Sequence, residues 1–406
     1  MLLGFAMFNS FRMAGTFSSD LMATWLAGYF YDLGQLDLVY PSDTSLYTVT
    51  APSDWQDLVR SFGFDDEVFP FVYPPLWAAV VAPITRFLDV AQFQSIASFV
   101  NGGLLVALFW LGGMAARLSG RDLILAVLVG MGFALTTWVG DIALRENQPQ
   151  ILVSMLIVAA LVGLDRRKDG LSGAMLALAA AIKLYPALFL VILLVMRRWQ
   201  AVKGFVIAGA LLATASVWLT GWPLHQEFLT QIGIMSRTVI LSPLIYTGDG
   251  VWAAIFHWDA LQAAAASGDT GGWLAIAKTG VWSWISRGLL IALALGAAIA
   301  LRSGRPVLAV WGVFLVLLGL FGPLSWSYHY LTPLAILVPA LWHNAPRQSL
   351  WFAVLSFACL SMNIQEWVFS ATESRFALFY VGTCGIALMA ATFISLAFAE
   401  TKPKNG

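Results

Sequence analysis

The chain has 406 residues, of which 60% are hydrophobic and only 11% are charged, and its mean hydropathy is +0.80. Soluble domains carry about 25% charged residues, so this composition excludes a soluble globular protein and predicts a multispanning membrane protein. The net charge of zero, without a basic tract, argues against nucleic acid as a partner.

The first apolar segment covers residues 1–18 and is followed by an acid, Asp20. It lacks the basic region and cleavage site of a signal peptide, so we expect a membrane anchor. The segment is slightly short for a full span and contains Arg12, which leaves two alternatives: the N-terminus of the natural protein lies upstream, or this helix is thin.

Directly after this segment, "LMATWLAGYFYDL" predicts a helix lying in the membrane interface. Helical spacing places one set of side chains towards lipid, and turns Asp20, Thr24 and Tyr31 towards a cavity. The predicted lipid-facing residues are Leu21, Trp25, Leu26, Tyr29 and Phe30.

Residues 20–70 contain nine acidic side chains against one basic side chain, Arg60, and predict a long loop on the outer face. The apolar piece that follows, "VYPPLWAAVVAPITRFL" at 72–88, is interrupted by prolines and is too short for the ~20 residues of a crossing. We therefore predict that 20–91 form an acidic outer loop with juxtamembrane helices.

The remaining apolar runs, with basic clusters between them assigned to the cytoplasm, predict about twelve crossings with both termini inside. A second large outer loop covers 222–280, and a short outer turn, "PLSWSYHY", covers 323–330. The whole chain, 1–406, is predicted to form one all-α polytopic membrane domain. The apolar runs lie near 1–18, 92–116, 122–140, 148–164, 170–182, 184–196, 203–221, 281–301, 306–322, 330–343, 350–367 and 376–398.

A lysine interrupts the apolar stretch "GLSGAMLALAAAIKLYPALFLVILLVMRRW" at 170–199, which predicts two short crossings that bend near Lys183 and Pro186. About thirteen residues reach only ~20 Å, short of a ~30 Å membrane core. Lys183 should therefore lie in a recess below the outer surface. There it must snorkel, pair with an acid, or bind an anionic ligand.

Polar residues in four further places are predicted to converge on the outer side. They are Asp20, Tyr73 before Pro74-Pro75, His329 in the late turn, and "DIALRENQPQ" at 141–150, which contributes Arg145, Asn147 and Gln148. Each has a structural alternative. Asp20 could cap its helix, His329 could be a satisfied interfacial histidine, and Arg145 could pair with Glu146.

One carboxylate and a recessed cation suit transfer of a sugar from a lipid phosphate to an alcohol. The carboxylate takes the proton of the attacking hydroxyl, and the cation stabilises the departing phosphate. Because phosphate is already a good leaving group, the second carboxylate of glycoside hydrolases is not needed.

The order of Asp after the first helix, "YPP", "AIKLYP" and "PLSWSYH" resembles the GT-C superfamily of integral membrane glycosyltransferases. It is most similar to glycosyltransferase family 87, which includes polyprenol-phosphate-mannose-dependent α-1,2-mannosyltransferases and an arabinofuranosyltransferase. The resemblance implies a GT-C fold and an inverting transferase with its active site on the periplasmic side of the inner membrane. It also implies a polyprenyl-phosphate sugar donor, and a glycolipid or glycan acceptor, among membrane lipids.

Carried over by position, the resemblance makes Asp20 the catalytic base and Lys183 and His329 residues that bind the donor phosphate or sugar. Two departures affect the choice of sugar. Residues 147–150 read Asn-Gln-Pro-Gln where relatives often have Gly-Gln-x-Asn, and Tyr328-His329 replaces a histidine doublet. The sugar is therefore expected to be mannose or a related hexose or pentose.

Two other functions compete with this one: a polysaccharide polymerase or ligase, and a secondary transporter or lipid flippase. The strongly acidic first loop disfavours the former, and the lack of a repeat between the halves disfavours the latter. Neither a glycine-rich nucleotide loop nor a metal-ligand spacing occurs in the sequence, so we expect no cofactor and no metal. The alternative is a divalent ion held by Asp20, Asp32 and Asp37.

Overall fold

The computed structural model describes residues 1–40, 47, 51, 53–266, 273–343 and 345–399. Asp43 of the acidic loop and the last basic cluster, Lys402 and Lys404, lie outside the described residues. The described chain is built from α-helices, because in an apolar environment a helix satisfies every backbone hydrogen bond within its own segment. The prediction of a helical protein is confirmed.

The second helix of the first half carries Asp20 in its first turn. The helices of this half are α1 (Leu2–Arg12), α2 (Ser19–Asp32), α3 (Ser53–Ser61), α4 (Pro75–Thr85), α5 (Val90–Ala115), α6 (Gly120–Leu135), α7 (Trp138–Arg145), α8 (Gln150–Asp165), α9 (Asp169–Ile182) and α10 (Phe189–Val195). Short 3₁₀ turns at Leu36–Leu38 and Tyr185–Leu188 connect some of them.

The second half contains the longest helix and one small sheet. Its helices are α11 (Trp199–Arg237), α12 (Gly248–Phe256), α13 (Trp258–Ala266), α14 (Gly280–Arg302), α15 (Val307–Phe321), α16 (Leu331–Leu341), α17 (Arg347–Leu360), α18 (Met362–Thr372) and α19 (Arg375–Phe398). Strands β1 (Thr238–Leu241) and β2 (Leu274–Ala277) pair antiparallel, with Thr238 opposite Ala277. A 3₁₀ turn at Ser327–Tyr330 precedes α16.

Among the described residues, four helices are by length and composition able to cross a membrane: α5, α11, α14 and α19. The bent pair α7 and α8, which meet at 119°, adds a fifth if it acts as one span. Several shorter apolar helices, including α9 and α15, accompany them. The number of about twelve crossings stays a prediction. Helix α4 has 11 residues, or ~16 Å, a length that supports its placement at the membrane surface.

Helix α2 has the predicted extent, but its aromatic face packs inside the protein instead of against lipid. Trp25, Leu26 and Phe30 are buried in a cluster with Trp55 and Phe71 from the first loop. The prediction of a lipid-facing surface was wrong, because the acidic loop folds back over the helix and covers it.

A close approach between α2 and α4 sets the position of α2. A Cβ atom on Gly28 would lie 2.8 Å from Cγ1 of Val81, so only glycine allows this contact. The α4 helix itself starts at Pro75, where a missing N–H costs nothing. Pro74 and Pro75 therefore orient Tyr73 while α4 holds α2.

The long helix α11 is two helices joined by a kink. Gly221 has φ 73° and ψ 161°, a left-handed conformation that favours glycine, and Pro223 follows it. The second segment turns across the end of the bundle, and Phe228 and Ile232 of this segment line a cavity. The predicted second outer loop, 222–280, begins at this kink.

Candidate active site

A cavity of about 200 Å³ lies where α2, the segment before α4, the break between α9 and α10 and the late turn meet. The structure brings together four residues that the sequence had placed far apart: Asp20, Tyr73, Lys183 and His329 all line it. Their convergence is the central observation about this protein.

Asp20 lies in the first turn of α2 and does not cap it. The helix is capped by Ser18, whose side chain accepts a hydrogen bond from the backbone N–H of Leu21. Burial raises the pKa of Asp20 from 3.8 to about 6, although the positive charge of Lys183 and the amide of Gln148 oppose the rise. A carboxyl group with a pKa near neutrality is suited to accept a proton.

Lys183 lies where α9 stops. Its backbone is extended, with φ −136° and ψ 134°, so the predicted bend is observed there. Its ammonium is 3.4 Å from Oε1 of Gln148, 4.7 Å from the ring centre of Tyr328 and 5.7 Å from that of Tyr73. It forms no ion pair with a carboxylate in the described part of the chain. The side chain therefore points inward, and its charge is open to an anionic ligand.

Gln148 links the cation, the acid and Tyr73 from beneath the cavity. This fully buried side chain accepts hydrogen bonds at Oε1 from the Tyr73 hydroxyl, at 3.1 Å, and from Lys183. Its Nε2 has no hydrogen-bond partner among the described residues, and the amide favours the ionised form of Asp20. Gln148 thus positions Lys183 and Tyr73 without lining the cavity.

His329 presents one ring nitrogen to the cavity. Its Nδ1 is 3.3 Å from the backbone oxygen of Trp326, so Nδ1–H donates there and Nε2 is left for a ligand. The rings of Tyr328 and Tyr185 lie beside it at 4.9 and 6.2 Å. Trp326 and Tyr328 also line the cavity and form an aromatic wall beside His329.

The late turn is held in place by the second outer loop. Tyr246 N–H donates to the Ser325 oxygen at 3.0 Å, and Ser327 N–H donates to the Leu244 oxygen at 2.7 Å. Tyr330 is fully buried and its hydroxyl donates to the backbone oxygen of Tyr246. The turn that carries His329 is therefore fixed by backbone contacts on both sides.

The structure does not bring Arg145 or Asn147 to the cavity. Arg145 pairs with Asp141 at 2.9 Å, and Asp141 also pairs with Arg12 of α1. Asn147 is buried, and its Oδ1 accepts hydrogen bonds from Ser98 and Asn101 of α5. Arg145 therefore pairs within α7, whereas Asn147 ties the turn after α7 to α5. The alternative of a structural ion pair for Arg145 is observed, with Asp141 as the partner in place of Glu146.

Glu146 is the residue that the sequence reasoning undervalued. Its carboxylate accepts the backbone N–H of Asp20 at 3.4 Å, at the N-terminal end of α2. Helix N-termini leave such N–H groups without partners, and the buried side chain of Glu146 provides an acceptor for this one. Glu146 lies two residues before Gln148 in "RENQ", which could have indicated a position near the site. Only the fold shows that Glu146 contacts Asp20.

The described carboxylates of the first loop do not gather around a metal position. Asp32 is bound by Arg86, with Nη2 to Oδ1 at 2.6 Å, and Asp37 is exposed. In the described ranges, no group of three His, Cys, Asp or Glu side chains is arranged to hold a metal ion.

Comparison with known proteins gives the family. Residues 71–324 match the sequence profile of glycosyltransferase family 87, and this range is more than half of the chain. The chain belongs to glycosyltransferase family 87. It is therefore a membrane glycosyltransferase. The matched range includes Tyr73 and Lys183, whereas Asp20 and His329 lie outside it.

Two curated relatives are similar over most of the chain. One is the polyprenol-phosphate-mannose-dependent alpha-(1-2)-phosphatidylinositol pentamannoside mannosyltransferase of Mycolicibacterium smegmatis, 26% identical over an alignment of 354 positions. This match covers 78% of this chain and 81% of the relative. The other is the polyprenol-phosphate-mannose-dependent alpha-(1-2)-phosphatidylinositol mannoside mannosyltransferase of Mycobacterium tuberculosis, 28% identical over 317 residues. This second match covers 71% of this chain and 66% of the relative.

Proposed function

We propose that this enzyme transfers a sugar from a polyprenyl-phosphate donor to a hydroxyl group of a glycolipid or glycan, with inversion and with Asp20 as the base. The observation that carries the proposal is that Asp20 and Lys183 line the same cavity, and that Lys183 forms no ion pair with a carboxylate among the described residues. Both relatives are named as users of polyprenol-phosphate-mannose, so mannose is the first sugar to test.

The chemistry balances with these groups alone. The Asp20 carboxylate takes the proton of the acceptor hydroxyl, whose oxygen then forms the new bond to the anomeric carbon. The bond from that carbon to the phosphate oxygen breaks on the opposite face, and the phosphate leaves with the electron pair. Lys183 is the group available to stabilise that charge, and Nε2 of His329 can accept a hydrogen bond from a hydroxyl of the sugar.

A lipid donor also needs an apolar path, and one adjoins the cavity. A pocket of about 310 Å³ shares Leu184, Tyr185 and His329 with it, and extends between the 3₁₀ turn before α10 and the helices α14 and α15. Its other walls include Leu290 and Leu315. This pocket supports a prenyl chain beside the phosphate position, which a nucleotide sugar would leave empty.

The proposal includes the remaining expectations from the sequence. The active site lies on the periplasmic side of the inner membrane, and the chain forms one catalytic domain. Membership of a glycosyltransferase family favours this chemistry over the transport alternative. The cavity itself carries a single acid and a single lysine, which suits a phosphate-monoester donor.

The test uses purified enzyme in detergent with polyprenyl-phosphate mannose and a phosphatidylinositol mannoside. Transfer should occur with this donor and should be absent with GDP-mannose when no lipid donor is present. Asp20→Asn should lower the rate by about 10²–10⁴-fold, because an amide cannot accept the proton. It should not lower thermal stability, since Asn removes a carboxylate whose ionisation is disfavoured by burial. Turnover with the nucleotide sugar, or a fully active Asn variant, contradicts the proposal.

A further inference from the structure

A second cavity, of about 470 Å³, lies at the opposite end of the helices from the candidate active site. Helix α8 begins at Gln150, close to Gln148 beneath the candidate active site, and ends at Asp165, which lines this second cavity. Its 16 residues separate the two positions by about 24 Å. The second cavity therefore opens near the other membrane surface and belongs to a different site.

The floor of this cavity is apolar and continues towards the first pocket. It is made by Phe189 and Ile192 of α10, Trp311 of α15 and Leu161 of α8. Leu188, which precedes Phe189 in the chain, lines the prenyl-sized pocket described above. Helices α14 and α15 line both regions, so the seam between α10, α14 and α15 extends from one to the other, with Phe189 packed against Trp311 and Phe314 within it. The outward face of α14 is largely exposed.

The rim is basic. Arg117, Arg167 and Arg198 all line it. Arg117 is neutralised by Asp165 at 2.6 Å, and Arg198 is held less closely by Asp169 at 3.3 Å. Arg167 has no carboxylate partner among the described residues, so the rim retains a positive charge.

Two of these arginines occupy strained backbone positions. Arg117 and Arg167 have φ of 59° and 58°, directly after the C-terminal ends of α5 and α8. Such positions usually hold glycine, because a Cβ atom is disfavoured there. The general preference for basic residues at helix C-termini and on one membrane face explains the charge, but any neighbouring position could supply it. Arg197, which follows α10, has the same conformation (φ 54°) without lining the cavity, so this backbone conformation does not by itself mark a ligand site.

We propose that this cavity binds the phosphate headgroup of an anionic membrane lipid. The three arginines contact the phosphate, and a hydrocarbon chain follows the seam between α10, α14 and α15. A guanidinium group binds phosphate oxygens through two parallel hydrogen bonds, and basic pockets between transmembrane helices suit lipid headgroups. The site is independent of the transfer reaction and of which sugar the enzyme uses.

Native mass spectrometry of the detergent-purified enzyme tests this proposal. Phosphatidylglycerol should bind with a stoichiometry of at least one, and phosphatidylcholine should bind more weakly. Arg167→Gly should weaken anionic-lipid binding by about fivefold, while the apo protein becomes no less stable because glycine relieves the left-handed strain. Arg198→Gln should also weaken binding, and Arg167→Lys should retain most of it.

The matched control is Arg347→Ala, an exposed arginine at the start of α17 that lies outside the cavity. It should bind lipid as the unmodified enzyme does. Equal binding by Arg167→Gly and the unmodified enzyme overturns the proposal, as does an equal loss in Arg347→Ala. If millimolar inorganic phosphate displaces phosphatidylglycerol as strongly as a competing lipid phosphate does, the hydrocarbon chain adds nothing to binding. That result overturns the assignment of the hydrocarbon chain to the seam.

Discussion

At the scale of single residues, the acid and the lysine of the cavity are electrically coupled. Burial makes ionised Asp20 unfavourable, and the charge of Lys183 partly compensates. A base with a pKa of about 6 is protonated below that pH. The kcat/KM for the donor, which reports ionisations of the free enzyme, should therefore fall about tenfold per pH unit below 6.

Replacing the lysine should move this acid limb in a definite direction. Lys183→Met removes a positive charge that lowers the pKa of Asp20, so the limb should shift to higher pH. Donor affinity should also fall, since the phosphate loses a charge-assisted hydrogen bond. The pH–rate profile and the donor KM measure these effects separately. Lys203→Met, on the exposed surface of α11, is the control; an unshifted limb in Lys183→Met contradicts the coupling.

Glu146 should act as a positioning residue for Asp20. Glu146→Ala removes the acceptor of the Asp20 backbone N–H and frees the start of α2, so kcat should fall about 10- to 100-fold with little change in donor KM. Glu146→Gln keeps an oxygen acceptor and should recover most of the activity. A merely structural role would instead lower stability equally in both variants, which thermal unfolding would reveal.

At the scale of elements, the contact between α2 and α4 sets where the acid lies. Gly28→Ala places a methyl group 2.8 Å from Val81, which should lower stability by about 1–3 kcal/mol and reduce transfer as α2 shifts. Gly132→Ala in α6 is the control, because a Cβ atom there meets nothing within 4 Å. That variant should be neutral or slightly stabilising. Similar losses of stability in the two variants would show that the close contact is not what matters.

At the scale of the whole molecule, the prediction is that both loops of the candidate site share one membrane face. Single cysteines at Ser61 and Asp259, both exposed, should react with an impermeant maleimide added outside. Cysteines at Arg166 and Ser303, exposed at the opposite end, should be protected until the membrane is opened. Cys384 is itself exposed, so the native cysteines are replaced first. Protection at Ser61 with labelling at Asp259 contradicts the shared face.

The sequence alone determined the membrane environment, the helical architecture and four of the cavity residues. The apolar composition shows that most side chains are not surrounded by water. Placing an acid or a lysine at the edge of an apolar run costs free energy, so such residues are rare and easily noticed in the sequence. Lys183 and Asp20 are visible for that reason. The bend at Lys183 was also predictable, because thirteen residues cannot span a membrane core.

Only the tertiary structure decided which polar residues act together. Arg145, Glu146, Asn147 and Gln148 are consecutive in the chain, yet they contact four different neighbours: Asp141, the start of α2, helix α5 and Lys183. The sequence does not reveal these directions, because a tight turn between two helices rotates each side chain differently. The burial of α2 was equally hidden, since an aromatic helix face suits lipid and a protein core alike. A lipid-facing helix and a buried one differ here only in whether another part of the chain covers the aromatic face, and in this protein the first loop covers that of α2.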